Sequence, residues 1–211
     1  MSRLHRAAVA LAALTTLPAA AGAATFVFEP GAGSILPTET VMFDFNDPAR
    51  DALVTGTRFR FLTGTSGDGA LPAAGDRSRY LSVLAGGEAR IAFAAPVFGF
   101  SVDLGSLDSY NLLTLNFVGG ATQSFTGGQL VALPDGNQSA ARTNGRFRFT
   151  ADPGQQIAGV TFGSGGNSFE IDRLAAAPVP EPALWAMMVG GFGLLGAIVR
   201  RRGRARQHRL A

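Results

Sequence analysis

Two groups of oxygen-bearing side chains stand out by type and spacing. The first is Asp44, Asn46 and Asp47, in Phe43-Asp44-Phe45-Asn46-Asp47-Pro48, taken with Glu170 and Asp172 in Ser168-Phe169-Glu170-Ile171-Asp172. Carboxylate and amide oxygens gathered in this way suit Ca²⁺, which takes about six to eight oxygen ligands. The spacing is not that of an EF-hand loop, and a plainer explanation competes: Asn46-Asp47-Pro48 makes a turn, and Asp172 pairs with Arg173 or caps a strand end. The second group is Asp103, Asp108, Tyr110 and Asn111, the last three in the loop Gly105-Ser106-Leu107-Asp108-Ser109-Tyr110-Asn111. Together they offer donors, acceptors and an aromatic face, as sugar binding requires. Here an ordinary hydrogen-bonded turn is the competing reading, since Tyr80 and Tyr110 are the only tyrosines and the one tryptophan, Trp185, lies far along the chain. A third pattern is Arg58 and Arg60 with Arg146 and Arg148, each alternating with phenylalanine. If the phenylalanines face inward, the arginines form a positive outer stripe that could meet an acidic polysaccharide or simply guard a sheet edge.

What is missing narrows the chemistry. The chain has no cysteine, so disulfides, thiol nucleophiles and thiolate metal sites have no residues to use. Its two histidines, His5 and His208, sit near the two ends, which removes Ser-His-Asp catalysis and His-ligated zinc from the middle. All 18 basic residues are arginine, so a lysine Schiff base is excluded as well. Paired-carboxylate hydrolysis is the one common scheme left open, and it needs two carboxyl groups about 5–9.5 Å apart across a cleft. The residue content therefore predicts no enzyme and no obligatory cofactor, with Ca²⁺ as the one ion the oxygen groups could hold.

The elements that must position these residues read as short strands. Alternation is plain in Glu39–Phe45, Thr57–Phe61, Arg79–Leu84, Glu88–Phe93, Val97–Val102, Leu112–Phe117, Gly145–Phe149 and Ser168–Asp172. Phe-x-Phe recurs at Phe26/Phe28, Phe43/Phe45, Phe59/Phe61, Phe98/Phe100 and Phe147/Phe149, and residues two apart on a strand share a face. Glycine, proline and aspartate clusters lie between them: 64–69, 71–76, Gly86-Gly87, Gly119-Gly120, Gly127-Gly128, 134–137, 152–154 and 163–167. No twelve-residue stretch of this region has helical periodicity. The pattern predicts an all-β fold, an antiparallel β-sandwich of jelly-roll kind, with one core.

Both ends read differently. Met1–Arg6 carries Arg3 and Arg6, an apolar stretch follows to Leu17, and Ala21-Gly22-Ala23 ends a small-residue segment. That is the pattern of a secretory signal peptide over 1–23, cut by signal peptidase after passage through the Sec translocon. The body is then 24–177. It holds ten of the arginines and fourteen of the fifteen acids, a net charge of −4, so the basic whole-chain balance of +3 is no nucleic-acid footprint.

Beyond it, Pro178, Pro180 and Pro182 alternate with other residues in an extended, protease-accessible segment. An uncharged apolar run over 183–199 follows; as a helix it is about 25 Å long, the short limit for crossing a bilayer. Arg200, Arg201 and Arg202 open an arginine-rich end, 200–211, which holds that end on the cytoplasmic side and leaves the body outside.

Pro180-Glu181-Pro182-Ala183-Leu184-Trp185-Ala186, then the glycine-rich apolar run and the arginines, resembles the PEPxxWA form of the PEP-CTERM sorting signal. The resemblance covers 178–211 alone. It implies recognition by a membrane-embedded exosortase, with Pro180, Glu181, Pro182, Trp185 and Ala186 as the sorting motif and cleavage near it. It further implies an inner-membrane intermediate held by the C-terminal helix, then delivery to the cell surface or the extracellular, exopolysaccharide-containing matrix of a Gram-negative bacterium. An uncleaved C-terminal anchor is the alternative. The expected role is structural or adhesive, with a carbohydrate-binding module, calcium-dependent or not, as the other reading.

Overall fold

The computed structural model describes residues 23–177 together with 191 and 192. All of the expected 1–23 leader but Ala23, and nearly all of the sorting segment, with its motif and arginines, lie outside the described residues. Among the described residues no helix is long and apolar enough to cross a membrane.

Ten strands make the body: β1 (Ala24–Pro30), β2 (Thr40–Phe43), β3 (Val54–Thr63), β4 (Arg79–Val97), β5 (Gly99–Gly105), β6 (Asn111–Phe117), β7 (Thr122–Thr126), β8 (Gly145–Ala151), β9 (Ile157–Ser164) and β10 (Phe169–Ala176). All pairings are antiparallel, in the order β1-β8-β5-β10-β4-β9-β6-β7, with β2 added to β10 and β3 to β4. The expected all-β, antiparallel character is thus present. Helix is confined in the body to a 3-10 segment, Pro48–Leu53, and one turn, α1 (Gly127–Leu130). Asn46-Asp47-Pro48 starts the former, the Asp47 carboxylate accepting the Ala49 N–H at 3.0 Å.

Strand β4 links two halves of the path. Its first part, Arg79–Val83, pairs with β3, and Leu81–Val83 also pair with β10; its later part, from Gly87, pairs with β9. Gly86-Gly87, expected as a turn between two strands, is instead a bend inside this 19-residue strand. Gly86 has φ +70, and a side chain at Gly87 would run into the backbone of Arg58. Opposite, β3 shifts register between Thr57 and Phe59, with Arg58 at φ 52. Both strands bend at one place, as bulged strands do.

The two halves close on each other through phenylalanine. Phe93 of β4 meets Phe100 of β5 at 5.5 Å between ring centroids, Phe162 of β9 meets Phe169 of β10 at 5.9 Å, and Phe125 of β7 lies 5.4 Å from Phe26 of β1 and 5.6 Å from Phe149 of β8. β1 and β7 are the two ends of the pairing path, so the sheet is curled nearly into a barrel. Gln123 closes the seam: its side chain accepts the Ala24 N–H at 2.6 Å and donates to the Ala24 carbonyl at 3.1 Å.

The arginine stripe forms only in part. Phe147 and Phe149 are buried in the core as expected, and Arg146 and Arg148 point the other way, but that outer face is covered. The β1–β2 connection folds across it, with Gly33 packed against the Arg146 side chain and the Ser34 carbonyl accepting from Arg148. Arg148 also pairs with Glu29 at 2.9 Å and with Glu39 at 2.7 Å. Arg146 is fully buried. Arg58 and Arg60 keep the expected exposed positions, Arg60 lying 3.2 Å from Asp68 and Arg58 donating to the Ala85 carbonyl.

Candidate functional site

Where β5 leaves the sheet, the loop from Gly105 to Asn111 turns across the end of the barrel. Ser106 sits at φ 38, in the left-handed region that ordinary residues avoid. Its N–H donates to Asn144 Oδ1 at 3.0 Å, and its hydroxyl donates to Glu170 Oε2. Asn111 holds the other end of the loop. Its Oδ1 accepts the Asp108 N–H at 2.7 Å, and its Nδ2 donates to Ser164 Oγ at 3.1 Å and to the Ser168 carbonyl. Asn111 is 1% exposed, so this amide fixes the loop and cannot reach a ligand.

The loop walls a polar cleft of about 110 Å³, bordered also by Ser66, Gln138 and Asn167. Its floor is Glu170, on β10 and 1% exposed. One Glu170 oxygen accepts the Ala70 N–H at 3.1 Å and the Ser168 hydroxyl, and the other accepts from Ser106. Burial nevertheless pushes the Glu170 carboxyl above the ordinary range, against those hydrogen bonds. Asp108 stands on the wall, where the Tyr110 hydroxyl donates to it at 2.6 Å and to the Asn167 carbonyl at 3.1 Å. Burial, the hydrogen bond to Asp108 and the nearby negative charges of Asp108 and Glu170 raise the Tyr110 pKa, so the phenol stays a donor.

The loop fits because two glycines face it. A side chain on Gly127 would overlap the Asp108 carbonyl, and one on Gly136, at φ +66, would overlap the Asp108 carboxylate. Gly136→Ala is therefore expected to cost about 1–2 kcal/mol in urea unfolding and to free the Tyr110 hydroxyl. An ultraviolet titration of the two tyrosines would then show one of them moving toward its ordinary value.

The expected ligand residues separate. Asp108 lines the cleft, Tyr110 ties Asp108 to Asn167 beside it, Asn111 supports it from beneath, and Asp103 is elsewhere. On β5, Asp103 is fully buried between Arg146 Nη1 at 2.9 Å and Arg173 Nε at 2.6 Å. Burial raises its pKa against both guanidinium groups. The contact with Arg146 is an ion pair without hydrogen-bond alignment, since Asp103 Oδ1 and Arg146 Nη1 have no hydrogen-bond partner.

The expected calcium ligands separate too. β2 does lie beside β10, but Asp44 accepts the Asn46 N–H, Asn46 accepts the Arg79 N–H and Asp47 caps the 3-10 segment. Glu170 belongs to the cleft. Asp172, 1% exposed, accepts the N–H groups of Arg173 at 2.8 Å and Asp76 at 3.3 Å. Among the described residues no group of three or more acidic, histidine or cysteine side chains is placed to hold a metal ion. Ser66, Ser106, Gln138, Asn167 and Ser168 are among the cleft residues that sequence reading did not single out; isolated serines and amides carry no spacing that marks them.

The fold and site together define an antiparallel all-β domain with a closed-in carboxylate and a small polar cleft at one end. No family model matches the chain. A search of curated proteins likewise gives no match. Among solved structures, two variants of the catalytic domain of a GH87 alpha-1,3-glucanase, each in complex with tetrasaccharides, are similar at 12% and 10% identity with TM-scores of 0.41. Each likeness covers 73% of this chain and 30% of the other. At that level it carries nothing about what this chain does.

Proposed function

We propose that this chain is an exported, non-enzymatic surface or extracellular-matrix protein, sorted through its PEPxxWA tail by an exosortase in a Gram-negative bacterium. The observation that carries the reading is the order Pro180-Glu181-Pro182, Trp185-Ala186, uncharged run and Arg200–Arg202 in one C-terminal segment. The strand boundaries agree with it: β1 begins at Ala24, one residue past the expected leader, and β10 ends at Ala176, two residues before Pro178. Signal peptidase, the Sec translocon and exosortase are the partners this route requires, with the membrane as a transient one. We read the curled sheet as a two-layer sandwich of jelly-roll kind, its inner faces joined by the Phe93–Phe100 and Phe162–Phe169 contacts.

Asp108 and Glu170 do line one cleft, but Glu170 is shut beneath Ser106 and Ser168 with its oxygens engaged, which favours a binding or structural role over hydrolysis. The cleft lends support to the second reading, a carbohydrate-binding module, because Asp108, Ser66 and Gln138 bring hydrogen-bonding groups to its wall and rim.

Intact-mass analysis of the protein from the native cell surface tests the sorting. The wild type is expected to begin near Ala24 and end close to Glu181. A variant with Pro180, Glu181 and Pro182 changed to alanine should stay in the membrane with its arginine tail. A wild-type species that keeps residues 200–211 would make this a membrane-tethered domain and end the cleavage proposal.

A further inference from the structure

A concavity of about 630 Å³ lies away from the polar cleft, on the outer face of β3, β4, β9 and β6. Pairing register aligns one row of side chains across it: Thr55 opposite Arg90, Arg90 opposite Thr161, Thr161 opposite Thr114, and Thr114 opposite Ser124 of β7. Neighbouring strands are about 4.8 Å apart, so the hydroxyls of Thr161, Thr114 and Ser124 repeat at that interval, with Arg90 between them and Thr55. On the middle strand, Thr161 stands between Gly159 and Gly163, and the missing side chains leave a trough floored by those glycines on either side of it, between β4 and β6.

Chemistry narrows what the trough accepts. Its one cation, Arg90, is 2.6 Å from Glu88, which leaves the surface without net charge and gives a polyanion nothing to neutralise. It has no aromatic or methionine side chain, so it offers neither the desolvated centre of a protein–protein interface nor a ring for a sugar to stack on, and recognition there runs through hydrogen bonds alone. What it does present are hydroxyl and amide groups held before any ligand arrives: Thr114 Oγ1 is 2.8 Å from Ser124 Oγ, and Asn116 Nδ2 donates to Thr161 Oγ1 at 3.1 Å. Threonine is stiff at χ1, so little side-chain freedom is lost on binding. We infer that this trough binds an uncharged polysaccharide lying across the strands, through hydrogen bonds to the threonine row. The inference rests on the body alone and stands or falls separately from the sorting proposal.

Affinity electrophoresis of the full chain in non-ionic detergent tests it, with gels containing dextran, hydroxyethyl cellulose or alginate. At least one of the two neutral glucans should retard the wild type, and alginate should not. Gly163→Val fills the trough where an added Cβ meets nothing closer than 3.8 Å, so the fold should persist, as a thermal melt would show. That variant and Thr114→Val/Thr161→Val should each weaken retardation about tenfold, roughly the loss of one or two hydrogen bonds. Asp152→Asn, on an exposed turn away from both concavities, should leave it unchanged. Failure of both glucans to retard the wild type, retardation by alginate alone, or sensitivity to Asp108→Asn, in the separate cleft, without sensitivity to Gly163→Val would each overturn the inference.

Discussion

Arg146→Met is expected to destabilise the body by about 3–5 kcal/mol, the cost of removing one partner from a buried ion pair. Arg146 and Asp103 are both fully buried and 2.9 Å apart. The guanidinium also donates to Ser101 Oγ at 2.7 and 3.1 Å and to the Arg173 carbonyl at 3.1 Å. Methionine fills much of the same space, so the loss would come from the stranded carboxylate and the abandoned acceptors rather than from a void. Arg173 still reaches Asp103, but it is partly exposed and approaches only one oxygen. A second variant separates charge from packing: Asp103→Leu/Arg146→Met should recover part of the loss, because a buried pair exchanged whole for apolar groups is often neutral. Urea unfolding measures both. A single-variant cost below about 1 kcal/mol, or a double variant no better than the single, would show that the pair does not carry this stability.

Stability should also fall as the pH rises from about 4 to about 7, against the usual behaviour of paired carboxylates. Burial, with the Asp76 and Asp103 charges adding to it, pushes the Asp172 pKa from its ordinary 3.8 to about 7. Between those values the folded protein holds a proton that the unfolded chain releases, so each step up in pH favours unfolding, by about 4 kcal/mol across the window. The raised Glu170 and Asp103 groups act in the same direction. Glu39 opposes them: burial raises it, but hydrogen bonds from the Leu36 N–H and Arg148, with the Arg148 charge, hold it below the ordinary value. Melting temperatures at pH 5 and pH 8 should therefore favour the acid side, and Asp172→Asn should narrow the difference. Equal temperatures in the wild type, or an unchanged difference in the variant, would refute the assignment.

Strands whose inward residues are large and outward residues polar were legible in the sequence, as in Leu113, Leu115 and Phe117 of β6 or Phe147 and Phe149 of β8. β9 was not, because Gly159 and Gly163 occupy its outward positions and interrupt the alternation. β7 was hidden for another reason: Phe125 is its only large apolar residue. Arg146 could not be recognised as buried, since its cover is the β1–β2 connection and its counter-ion comes from 43 residues away, neither of which alternation reports. The Gly105–Asn111 loop was read from the sequence as a place where polar groups gather. Its division of labour, Asp108 and Tyr110 outward and Asn111 inward, depends on partners at Ser164, Asn167 and Ser168 that only the fold brings near.

The place of β10 sets a timetable. It is the last strand of the body, yet it lies inside the sheet, with β5 along one side and β4 and β2 along the other, and Phe169, Ile171 and Leu174 are fully buried. A chain emerging amino end first therefore has β1–β9 in hand with a gap through the middle, its carboxylates and phenylalanines open to solvent until residue 176 arrives. Closing so distant a contact is slow, and until then the unpaired edges of β4 and β5 invite other strands. Whatever direction the chain travels in, the sheet is whole only once residues 169–176 are in place between β5 and β4.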